Sequence, residues 1–151
     1  MRVLHSRGPL MSTLTLDQAQ QIIAAAFAEA RSHGYKPMGV VVVDAAGQVK
    51  AMAREDGASA LRLDIASAKA GAAAGMGVSS RVLAQRAKDL PAFFISLASV
   101  SSQKFVAQTG AVLIVDGAGQ VIGAAGASGG TGDEDEAICI AGIAAAGLQH
   151  G

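Results

Sequence analysis

Two stretches of the chain, 72 residues apart, are built alike, and they restrict the fold more than any other feature. VVDAAGQV at 42–49 and IVDGAGQV at 114–121 share six of eight positions: Val43/Val115, Asp44/Asp116, Ala46/Ala118, Gly47/Gly119, Gln48/Gln120 and Val49/Val121. In each, an apolar β-branched run meets Asp-x-Ala-Gly and an apolar run resumes. Asp at the first turn position can bond its own backbone, and Gly at the last accepts positive φ. Both stretches therefore read as β-hairpins, the first with strands over 40–43 and 49–54. A hairpin makes antiparallel sheet, which argues against a doubly wound parallel fold.

Helical patterns surround the hairpins. Leu16, Ala19, Ile22, Ile23, Ala26, Phe27 and Ala30 recur at helical spacing across 15–33. Thr15 and Gln18 have capping-box spacing, and Gly34 is a stop. Residues 60–75 form an Ala- and Gly-rich helix, and 79–88 another, with Ser79 or Ser80 as cap and Pro91 ending it. Residues 92–98 fit a short strand or a buried turn, and 101–108 one more helical turn. Ser128-Gly129-Gly130-Thr131-Gly132 reads as a loop, followed by a helix over 133–148 with Thr131 and Glu134 at capping-box spacing. The order helix, hairpin, helices, hairpin, helix predicts an α+β fold. It is a two-layer sandwich of profilin or PAS type, an antiparallel sheet of about five strands with the terminal helices packed on one face.

The 151 residues suit one domain, assigned to 13–151, with 1–12 a flexible N-terminal extension in which Met11 offers an alternative start. Half the chain is apolar but only 3% is aromatic, so the core is built from small side chains on closely approaching elements. Twelve basic residues balance twelve acidic ones. No basic stripe is available to displace counterions, so no nucleic-acid partner is expected. Cys139 is the single cysteine, which allows neither an internal disulfide nor a Cys-based metal cage and fits a reducing compartment. No signal-peptide h-region or 20-residue apolar run is present. The expected setting is cytoplasmic, with no membrane association.

Taken together, LTLDQAQQIIAAAFAEA, VVVDAAGQVKAMARED, LDIASAKAGAA and VLIVDGAGQVIGAAGASGGTGDEDEAICIAGIAA resemble the GlcG/HbpS family, which includes the C-terminal domain of PduO-type proteins. The likeness spans about 13–147. Its most specific part is the second hairpin followed by Ser-Gly-Gly-Thr, the acids and a helix. The resemblance implies a two-layer α/β domain that assembles into dimers, tetramers or octamers, with haem bound by some members and a haem-degrading or tetrapyrrole-related role. Many members carry Gly-Gly-x-Pro before the second hairpin. Here Thr109 and Gly110 stand in that place and the proline is missing.

The resemblance also implies that the 60–75 helix lines the pocket and that Lys69, in its Ala-Lys-Ala setting, anchors a carboxylate there; a snorkelling surface lysine is the alternative. Arg62 shares a helix face with Lys69, and Asp64 points elsewhere. Arg54, with Glu55 and Asp56, lies at the pocket mouth or at a solvated hairpin end. Ser128, Gly129 and Gly130 form a ligand cradle or a simple turn and cap. Asp133 to Glu136 would repel a phosphate or a propionate there, and Asp135 contacts substrate or only satisfies the helix dipole. The ligand-binding set is therefore Lys69, Arg54, Thr109, Gly110, Ser128, Gly129, Gly130 and Asp135, with catalytic residues undefined and no metal site.

His5, His33 and His150 all lie outside the rigid part of this fold, where a haem iron ligand would be held. Met38, Met52 and Met76 fit core packing, as does Cys139. Gly117-x-Gly119-x-x-x-Gly123 lacks the following helix that a dinucleotide fingerprint needs. The small-residue runs 68–77 and 141–147 serve packing within the domain, an interface between subunits, or both. The function expected is small-ligand binding, with haem or a related tetrapyrrole as ligand, by a homo-oligomer; the alternative is an enzyme or sensor for a small hydroxy or oxo acid.

Overall fold

The computed structural model describes residues 13–101 and 104–151. The 1–12 extension expected from the sequence lies outside the described residues, as do positions 102 and 103 of the helical turn expected over 101–108. Residues 104–108 of that stretch carry no regular element.

The elements run α1 (Leu16–His33), β1 (Gly39–Asp44), β2 (Val49–Arg54), α2 (Arg62–Met76), α3 (Ser80–Asp89), α4 (Pro91–Val100), β3 (Ala111–Val115), β4 (Val121–Ser128), α5 (Gly132–Ala145) and β5 (Gln149–His150). One five-stranded sheet has the order β2-β1-β4-β3-β5, and every pairing is antiparallel.

The repeated octapeptides are two copies of one device. Asp44 Oδ1 accepts from Ala46 N and Gln48 N, both at 3.0 Å, and Asp116 Oδ1 from Ala118 N and Gln120 N, both at 2.9 Å. Gly47 and Gly119 have φ of 80° and 81°, a region open to glycine at little cost. Each hairpin shifts register at the same place, after Val42 in one and after Ile114 in the other. The two hairpins then join through β1 and β4, with Gly39 opposite Ser128 at one end.

The α+β sandwich with its antiparallel sheet is as expected, and α1 and α5 cover one face. They pack with Val40, Val42, Val112, Ile114, Ala125 and Ala127. The other face is covered too: Val41, Val43, Ala111, Leu113 and Ala124 lie against Ala66, Ala70 and Ala73 of α2. Burial on both sides explains why β1 is an unbroken run of valines rather than an alternating strand.

Small residues set the layer spacing. A Cβ on Gly126 would stand 2.5 Å from Ala66 O, and one on Gly142 would stand 2.4 Å from Ile22 O. Much of both small-residue runs is thus used inside the domain, against the sheet and between α1 and α5.

Two further segments differ from the sequence expectation. Residues 92–98 are neither strand nor turn but the middle of α4. Pro91, which ends α3, occupies the first turn of α4, where its missing N–H costs nothing. The last helix stops at Ala145 instead of Leu148. Gly147 takes φ 75°, and Gln149–His150 return as the fifth strand beside β3.

Candidate functional site

The four consecutive acids at the start of α5 are used in three different ways. Thr131 Oγ1 accepts from Glu134 N (3.2 Å), and Glu134 Oε1 accepts from Thr131 N (2.9 Å), completing the capping box. Asp133 and Glu136 both pair with the Arg81 guanidinium of α3. Asp135 alone turns inward and is 2% exposed.

Asp135 meets Lys69, itself only 5% exposed. Lys69 Nζ donates to Asp135 Oδ2 and to Ala127 O, both at 3.1 Å. Asp135 Oδ1 accepts from Gly130 N at 2.9 Å. The cluster therefore ties α2, β4, α5 and the Ser128–Thr131 loop to one another. Gly110 closes it: a Cβ there would lie 2.7 Å from Lys69 Nζ and 3.0 Å from Asp135 Cβ. Below, the Cys139 thiol faces Gly110 O at 3.8 Å. Burial pushes the Asp135 carboxyl up from the ordinary carboxylate range, against the opposing pull of Lys69, the Gly130 N–H and Arg62. Burial also raises the Cys139 thiol, which makes it an inert core group.

In front of this cluster lies a cleft of about 500 Å³, within the roughly 300–1,000 Å³ of small-molecule sites. Gly129, Gly130 and Thr131 form one wall, Arg62 another, and His33, Tyr35 and Lys36 the third, with Glu134 at the loop end. Gly34, with φ 68°, ends α1 and turns the chain so that His33 and Tyr35 stack, centroids 5.1 Å apart and planes at 15°. His33 Nε2 is 2.8 Å from Glu29 Oε1. A Cβ on Gly39 would lie 3.1 Å from both the Arg62 backbone and its Cβ. This glycine therefore admits the first turn of α2 to the end of the sheet, where Arg62 Nη1 donates to Ser128 Oγ at 3.3 Å.

Of the residues singled out from sequence, Lys69, Gly110 and Asp135 meet in the buried cluster. Gly129 and Gly130 line the cleft, and Ser128 binds Arg62 beside it. Thr109 lies behind the loop, its Cβ 3.0 Å from where a Gly132 side chain would begin. Arg54 is elsewhere: it donates to Ala58 O and lines a separate groove with Arg31, Glu55 and Asp56. Asp64 faces away from Arg62 and Lys69, as its spacing required, and pairs with Lys104.

Sequence reading missed three groups. His33, expected at a helix end outside the rigid part of the fold, reaches the cleft because the chain reverses at Gly34. Lys36 gave no periodic signal. Ser80, considered only as a cap, is fully buried; its Oγ accepts from Ala111 N at 2.8 Å and lies 3.1 Å from Ala111 O, fastening α3 to β3. Among the described residues no three His, Cys, Asp or Glu side chains gather as a metal cluster, and no helix is long and apolar enough to cross a membrane.

Solved structures with this architecture include PduOC in complex with haem, at 27% identity and TM-score 0.79, covering 93% of this chain and 98% of that one. A double mutant of HbpS from Streptomyces reticuli gives 27% identity and 0.78, covering 95% and 96%. The Klebsiella pneumoniae protein ORFY gives 25% identity and 0.81, covering 95% and 97%. No curated protein sequence matches the chain. A family model described as haem degrading protein HbpS-like matches residues 14–144, and over that span the chain belongs to the HbpS-like family.

Proposed function

We propose that this protein binds haem or a related tetrapyrrole in the cleft between the end of α1, the start of α2 and the Gly129–Thr131 loop, and that it works as a cytoplasmic homo-oligomer. The observation that carries the ligand is the likeness to PduOC, solved with haem, over 93% of this chain. The chemistry of the cleft fits such a group in part. Arg62 and Lys36 suit propionates, Tyr35 and the two glycines offer flat surface, and His33 supplies an imidazole, a common iron ligand. When bound, haem would supply the redox and oxygen chemistry, while the chain's own groups bind and orient it. Lys69 and Asp135, buried behind the wall, position the loop through the Gly130 N–H. Thr109 and Gly110 support it from the other side.

Self-association is supported by α4 and the residue before it, where Leu90, Phe93, Ile95 and Val100 are exposed, the last two by 76% and 80%. No charged residue occurs from Leu90 through Gln103, so this is an apolar surface of the kind that partners cover. A reducing setting agrees with Cys139 as a free, buried thiol.

Hemin titration followed at the Soret band tests the ligand. A saturable shift with defined stoichiometry supports the reading, and a smeared, non-saturating response ends it. Light scattering tests assembly. A particle of two or more subunits is expected, and a clean 15 kDa monomer at micromolar concentration overturns that part.

A further inference from the structure

Of the ten described lysines and arginines, four are held in ion pairs, and five of the other six are exposed. Arg31 lies against Glu55, Lys69 against Asp135, Arg81 against Asp133 and Glu136, and Lys104 against Asp64. Arg62 is partly buried, yet among the described residues it makes no ion pair. Its one side-chain hydrogen bond among the described residues, at 3.3 Å, goes to the neutral hydroxyl of Ser128. A guanidinium carries five N–H donors in a planar fork that matches a carboxylate. Arg62 feels Asp135 only at longer range, so this partly desolvated fork leaves most of that capacity unused.

The surroundings select the anion. Lys36 and His33 share the cleft with Arg62. The one acid lining it, Glu134, is engaged with the Thr131 N–H through Oε1. Two of the loop amides are taken as well, Gly130 N by Asp135 and Thr131 N by Glu134, so recognition of an anion here falls mainly to the cationic side chains.

We propose that Arg62, held by Ser128 and flanked by Lys36, is the carboxylate-binding group of the cleft. This deepens the ligand reading above and rests on the same cleft. The carboxylate is a tetrapyrrole propionate or the carboxyl of a free small acid, and the recognition chemistry is the same.

The test uses the full chain, as wild type, Arg62→Gln and Arg62→Lys, titrated with protoporphyrin IX and with its dimethyl ester, in which the carboxylates are blocked. Wild type is expected to bind the free acid about tenfold or more tightly than the ester. Arg62→Gln should remove that preference, weakening the free acid far more than the ester, and Arg62→Lys should retain part of it. In parallel, lactate, glycolate and acetate are screened by thermal shift. Absence of saturable porphyrin binding, together with an acid-induced shift that Arg62→Gln abolishes, refutes the tetrapyrrole reading and upholds the role of Arg62. Equal binding of acid and ester by wild type, with no acid-induced shift, overturns the role of Arg62. So does an Arg62→Gln protein with native far-UV circular dichroism and unchanged preferences. If Arg62→Gln does not fold, the wild-type acid-to-ester ratio and Arg62→Lys decide.

Discussion

Replacing Lys69 by methionine isolates the interaction that holds the loop. The substitution keeps volume and apolar stem but removes the ammonium, leaving Asp135, 2% exposed, with the Gly130 N–H as its remaining direct donor. Removing one partner of a buried ion pair costs about 3–5 kcal/mol. That is a large part of the roughly 5–15 kcal/mol that holds a domain folded. For a chain of this size each kcal/mol moves the melting midpoint by about 2–4 °C, so the fall is about 6–20 °C. The loss has a pH signature. Burial already raises the folded-state pKa of Asp135 above its ordinary 3.8, and Lys69 opposes the rise. Without Lys69 the folded value climbs further. A carboxyl raised in the folded state contributes stability that is complete below its unfolded pKa and lost as pH rises through the folded one. The Lys69→Met penalty is therefore largest near pH 7.5 and shrinks toward pH 5 as Asp135 takes up a proton. Urea denaturation of wild type and variant at both pH values measures it. Lys69→Met with Asp135→Leu should recover much of the loss, because replacing a whole buried pair by apolar groups is often close to neutral. A penalty under about 1 kcal/mol at pH 7.5 refutes the reasoning, as does one that does not change with pH.

Gly126→Ala drives a methyl to 2.5 Å from Ala66 O and 3.1 Å from Ala70 Cβ. Because the nearer atom is helix backbone, a loss of about 1–3 kcal/mol is expected in chemical denaturation. Thr131→Ala removes the cap of α5 and should cost about 1 kcal/mol, read as a melting point lower by a few degrees. The Cys139 thiol, buried and raised, should react with a thiol-disulfide reagent only when the protein unfolds, so prompt labelling of the native protein would contradict its placement.

The parts of the fold legible in sequence are those written in local chemistry. The Asp-x-x-Gly turns announce themselves, since their hydrogen bonds close within four residues, and Thr131 with Glu134 forms a cap from residues three apart. Lys69 and Asp135 could each be singled out, one as a lysine among alanines and the other among acids at a helix start. Their pairing across 66 positions has no local signature. The same limit hid the cleft, which brings His33 and Lys36 to Arg62 only because α2 reaches the end of the sheet above Gly39. Arg54 was grouped with the site on its place after a strand. β2 is an edge strand, and its end closes on Ala58 instead. In α4 the run Ala92–Ala98 has no polar alternation to read, and Pro91 served as both stop and start. β5, two residues long, is defined by its partner β3 alone.

The most direct measurement of the ligand site is an amide NMR titration of the isotope-labelled protein with hemin, whose iron broadens nearby signals. Early broadening at Gly34, Arg62, Gly129, Gly130 and Thr131, with the turns at Gly47 and Gly119 untouched, is the expected result. Broadening centred on those turns, or spread evenly over the chain, would contradict a tetrapyrrole site between α1, α2 and the glycine loop.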